Sequence, residues 1–100
     1  MRLGRVIGRV TLSTTVDSLL GARWLVVSPF SRGHFEAGPE AAAHLSPDPS
    51  LVVYDNLGAG VGDVIGFIEG REAAVPFDQP PPIDAVNGAI VDQVFYSPLK

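Results

Sequence analysis

The chain is 100 residues long, carries a net charge of −4 from 7 Lys and Arg against 11 Asp and Glu, and contains no cysteine. These values leave room for one domain, exclude a disulfide framework or thiolate metal site, and disfavour general attraction to nucleic acid or an anionic membrane. Charged residues make up only 18%, below the roughly 25% of an ordinary soluble domain, so part of the surface is expected to be covered by other protein.

Proline and glycine, 9 and 11 residues, argue against long helices and for short strands joined by turns. The first strand is expected over residues 2–12, with Val6, Val10 and Leu12 on one face and Arg5 and Arg9 together on the other. The next apolar run is Trp24–Ser28, stopped by Pro29. Residues 31–49 form a Pro- and Ala-rich excursion, within which PEAAAHL (39–45) has the composition of one or two helical turns. Leu51–Asp55 and Asp63–Glu69 read as the third and fourth strands. PFDQPPP (76–82) is a stiff extended connector, after which Asp84 is placed to cap a helical turn over Ala85–Asn87. Gly88–Phe95 completes the set. Five short strands with one helical element predict an all-β fold, a small five-stranded OB-like barrel. Apolar runs of only a few residues fall far short of the ~20 needed to span a bilayer. No unbroken signal-peptide core is present, and a soluble cytoplasmic protein is expected.

Residues 56–63 (NLGAGVGD) invite a phosphate-binding reading, which the sequence itself opposes. A phosphate loop needs lysine and a hydroxyl after the glycines, whereas Asp63 stands there and would repel the anion. A dinucleotide fingerprint needs a helix next, and VIGFIEG is a strand. His34 and His44 lie ten positions apart without the compact ligand set of a metal site. Ser31 and His34 lack the nucleophile elbow of a hydrolase. Most carboxylates border turns, where aspartate binds neighbouring backbone amides. Arg2, Arg5 and Arg9 leave open a single-strand nucleic-acid platform, since barrels of this shape also serve that purpose, although few other positive charges support it. A small enzyme built on the histidines or carboxylates has no suggested substrate.

The run LGAGVGDVIGFIEGREA (57–73), then PIDAVNGAIVD (82–92), with the opening MRLGRVIGRVTLSTTVDSLLGARWLVVSPF, resembles the EutN/CcmL family of bacterial microcompartment vertex proteins. The similarity fails mainly in residues 31–49 and after Asp92. It implies a single domain over residues 1–100, a homopentamer, and a structural rather than catalytic role at the five-fold corners of a shell tiled by hexameric proteins. No cofactor, metal, nucleic acid or membrane partner is implied. Gly58, Ala59, Gly60, Gly62 and Asp63 match the family's glycine turn, expected to serve structure or assembly. Asp84, Ala85, Ile90, Val91 and Asp92 match its last strand entry. Subunit or hexamer contacts are expected of Arg5, Arg9, Asp84, Phe95 and Tyr96, the last two in the 93–100 tail.

Overall fold

The computed structural model describes residues 1–32, 35 and 48–95. Five strands, β1 (Arg2–Val10), β2 (Arg23–Pro29), β3 (Leu51–Asp55), β4 (Val64–Glu69) and β5 (Ala85–Ile90), close a barrel in the order β1-β2-β3-β5-β4. All neighbours run antiparallel except β3 and β5, which are parallel and bridged at Tyr54 and Val86. Two 3₁₀ turns, Asp17–Leu19 and Gly70–Ala74, lie between the strands. No helix there is long and apolar enough to cross a membrane.

A five-stranded barrel is narrow enough for side chains to fill it. Val6, Leu25, Val27, Val53, Ile65, Phe67 and Ala85 do so from the strands, and Ala59 plugs it from the loop after β3. Phe67 is the largest fully buried side chain, and the wall opposite it must be thin. Gly4 supplies that thinness: a Cβ there would lie 2.6 Å from Val27 Cγ1 and 3.2 Å from Phe67 Cε1. On the outer face, Trp24 and Tyr54 are cross-strand partners in an edge-to-face contact at 5.3 Å, and Phe77 continues the stack against Tyr54 at 5.1 Å. That stack holds the proline-rich connector to the sheet, since aromatic pairs add packing specificity to their burial.

The structure corrects three local expectations. Arg5 and Arg9 do not share a face. Val6 pairs with Val27 but Gly8 with Val26, so Ile7 is an extra residue in β1, and such a bulge reverses the alternation beyond it. Arg5 therefore sits opposite Ser28, and Arg9 opposite Leu25. Val10 likewise pairs with Trp24, on the outer face, and β1 ends there rather than at Leu12. Secondly, residues 85–87 are not a helical turn but the start of β5, which spans Ala85–Ile90 and not 88–95. Asp84 caps nothing; its carbonyl oxygen accepts the Gly70 N–H at 2.7 Å. Thirdly, a short helical element lies at Gly70–Ala74, directly after β4. The helical turn expected over 39–45, both histidines and Tyr96 lie outside the described residues.

Removing the ring that fills the barrel tests this packing. Phe67→Ala should lower unfolding free energy by about 3–5 kcal/mol, and Gly4→Ala by about 1–3 kcal/mol through overpacking. Denaturant titration at fixed protein concentration reads both.

Candidate functional site

The glycine turn is built on a buried charge. Asp55 ends β3 with its side chain fully buried, and its two carboxylate oxygens accept five hydrogen bonds. The backbone N–H groups of Leu57, Gly58 and Ala59 donate at 3.0, 3.2 and 3.1 Å. Asn87 Nδ2 donates at 3.0 Å and Arg23 Nη1 at 3.0 Å. Arg23 also donates through Nη2 to the Ala59 carbonyl at 3.1 Å, clamping the same turn from the other side. A carboxylate removed from water is costly unless it is paired and its lone pairs are used, and both conditions are met.

This hub sets the path of the chain. Asparagine or aspartate at the head of a turn bonds amides a few residues ahead, so Asp55 coils 57–59 back over the barrel mouth and drives Ala59 into the core. The reversal needs the left-handed region at Gly58, φ +90°, which only glycine enters without a steric penalty. A second turn follows. Asp63 N–H donates to the Gly60 carbonyl at 3.0 Å, and Gly60 N–H returns to Asp63 Oδ2 at 2.8 Å. Gly62 at φ +97° occupies the third position of that turn, as a type II turn demands. Gly62 N–H and the Asp63 carbonyl then bond Val6 of β1 at 2.9 and 2.8 Å, and Arg5 Nη1 reaches the Gly62 carbonyl at 2.7 Å.

The expected turn residues Gly58, Ala59, Gly60, Gly62 and Asp63 are thus brought together in one rigid loop, with Arg5 bracing it. The N–H groups of Leu57, Gly58, Ala59 and Gly60 point at the carboxylates of Asp55 and Asp63, and those of Gly62 and Asp63 at backbone carbonyls, leaving no cradle for an anion. Arg9, Asp84 and Phe95 are exposed and take no part in this network, Phe95 at 88% exposure. Among the described residues, no three His, Cys, Asp or Glu side chains gather at metal-binding distance. No buried side-chain nitrogen or oxygen there lacks a partner.

Two members of the hub escape a reading by segments. Asn87 is buried and uses both ends of its amide, since Oδ1 accepts the Ala89 N–H at 3.1 Å. Its partner Asp55 is 32 positions away. Arg23 stands at the same separation on the other flank. The one local signal was Asp55 itself, an aspartate closing a β-branched run three positions before Gly58.

A hub this dense should dominate stability. Asp55→Asn presents N–H groups to N–H donors and removes the partner of Arg23, and should cost about 3–5 kcal/mol. Arg23→Ala, with its half-exposed side chain and four other bonds to Asp55 intact, should cost about 1–3 kcal/mol. Paired denaturation curves would reveal the order.

Comparison with known proteins bears on what this loop serves. Residues 1–92 match the family model described as ethanolamine utilisation protein EutN/carboxysome. Among solved structures, the GrpN pentameric microcompartment shell protein from Rhodospirillum rubrum is 33% identical, with 97% of this chain and 100% of that one aligned and a TM-score of 0.75. CcmL from Gloeobacter violaceus is 29% identical over 96% of this chain and 90% of its own, with a TM-score of 0.77. EutN from Escherichia coli is 26% identical over 96% and 89%, with a TM-score of 0.73. No match is found among curated proteins.

Proposed function

The chain belongs to the EutN/CcmL family, and from that premise we propose that it is a non-enzymatic shell protein whose homopentamers cap the five-fold vertices of a bacterial microcompartment in the cytoplasm. The observation that carries the reading is the match along nearly the whole chain to a pentameric shell protein. A surface short of charge fits it: Leu57, Val61, Val52 and Val75 are each about half exposed or more, as expected of a chain with neighbours to bury against.

The mechanism is geometric. A sheet of hexagonal tiles is flat, and inserting five-fold units adds the curvature that lets it close. Cyclic symmetry generates such a unit from one heterologous contact repeated around an axis. Each copy acts as one vertex domain. In this reading the loop of Gly58, Ala59, Gly60, Gly62 and Asp63 holds the surface presented to partners in fixed shape, and preorganisation lowers the cost of assembly. Arg9, Asp84, Phe95 and Tyr96 are assigned to contacts with neighbouring subunits or the adjoining hexameric shell proteins.

A nucleic-acid platform is the weaker reading for a specific reason. Of the three arginines that suggested it, Arg2 is paired with Glu69 and Asp48, Arg5 with the Gly62 carbonyl, and Arg9 lies on the opposite face from Arg5. Cations held by their own chain are poorly placed to neutralise phosphates.

Native mass spectrometry should give a single species at five times the chain mass, and a monomer would overturn the proposal. Co-expression with hexameric shell proteins should yield closed particles, and omission of this chain should leave open sheets, tubes or particles missing their corners.

A further inference from the structure

Seven of the nine described glycines have a reason within their own chain. Gly21, Gly58, Gly62 and Gly70 have positive φ. Gly4, Gly66 and Gly88 are crowded: an added Cβ would stand 2.6 Å from Val27 Cγ1, 2.6 Å from Met1 Sδ and 2.4 Å from Ile68 Cδ1 respectively. Gly8 and Gly60 have neither reason. A Cβ on Gly8 would make ordinary contact with Val26 at 3.6 Å, and one on Gly60 would meet nothing nearer than Asp63 Oδ2 at 4.0 Å. Glycine at such positions costs conformational entropy, and only at Gly8 does the neighbouring bulge offer any return inside the chain.

Each of the two glycines borders exposed aliphatic surface. Gly60 lies between Leu57 and Val61, which are 49% and 66% exposed on a loop tethered by three amide bonds to Asp55. Gly8 is in register with Val26, and Val26 with Val52. These three form a flat outer row across β1, β2 and β3, with Val52 50% exposed. The Val61 end of the loop and the flat row lie on different sides of β1. Gly62 and Asp63, next to Val61, bond Val6 where β1 meets β4, whereas the flat row runs the other way, through β2 to β3; Leu57 lies over the mouth between them, on the stretch held by Arg23 and Asp55. One copy therefore offers the apolar Val61 end of the loop to one side and an apolar sheet face to the other, which is the asymmetry a heterologous ring contact requires. Size points the same way. A ring burying ~800 Å² per partner on each of two flanks covers roughly a quarter of the chain's 6621 Å², which calls for a sheet face as well as a loop.

We infer that Leu57 and Val61 of one subunit seat on the Gly8–Val26–Val52 face of the next, the two glycines letting the facing backbones approach. The inference rests on the pentamer reading and specifies its contact. Because the chain has no cysteine, introduced thiols report unambiguously. A Val52→Cys/Val61→Cys double variant treated with a short bis-maleimide should give a denaturing-gel ladder ending at five chains, and neither single variant should pass the dimer. Gly8→Val and Gly60→Val should each abolish the native pentamer while the circular dichroism spectrum stays that of the folded chain. A double variant that is pentameric by native mass but cross-links no further than the single variants overturns the inference and leaves the pentamer standing. So do rings that persist in both glycine variants. A monomeric wild-type chain removes the inference together with the pentamer.

Discussion

The buried carboxylate of Asp55 is the constraint around which the rest of the chain is arranged. The seam between β3 and β5 is the weakest in the barrel, a parallel pair bridged at one position. The Asp55–Asn87 hydrogen bond crosses it one residue further along on each strand. The same carboxylate holds three consecutive amides of the glycine loop and pairs with Arg23 on the opposite strand. One side chain thus links β2, β3, β5 and the loop that plugs the barrel. A hydrophobic residue would pack there but would leave those donors unpaired, each at a cost of about 1–3 kcal/mol. The charge is retained because it fixes one loop conformation among many, a use of buried polarity that favours uniqueness of structure over raw stability.

That fixed loop makes sense of a small domain with an undercharged surface. A chain of this length buries only a moderate core, and ring formation adds burial without adding residues. Rings also amplify error: a small tilt at one subunit contact is repeated at every contact, and the circle fails to close. A loop held at one end by Asp55 and at the other by Val6 and Arg5 of β1 has little freedom to tilt. Rigidity inside the subunit and closure of the ring are in this sense one requirement.

How much was legible in the sequence divides along the range of the interactions. Val6, Leu25, Val27, Val53 and Phe67 announced their strands by local pattern, and those strands are where the pattern put them. The phosphate reading of residues 56–63 failed on Asp63 and on the strand that follows, both local facts. Ala85–Asn87 was misplaced because its conformation is decided by Asp55, remote in sequence, while its own composition suits a capped turn. The faces of Arg5 and Arg9 were misjudged because spacing of four implies a shared face only in an unbroken ladder. The inserted residue Ile7 carries no turn signature of its own, although Gly8 beside it is the kind of residue that accompanies a bulge. The resemblance to shell vertex proteins reached the fold and the family, but gave no role to Arg23 or Asn87, whose importance lies in geometry that only the folded chain displays.

Five-fold placement is most directly tested by imaging the assembled object. Cryo-electron microscopy of closed particles formed with the hexameric shell proteins, averaged about their corners, should show five copies of this chain around each vertex, with residues 56–62 of every copy against its neighbour. Corners occupied by six-fold units alone, or this chain found elsewhere than on a five-fold axis, would contradict the account.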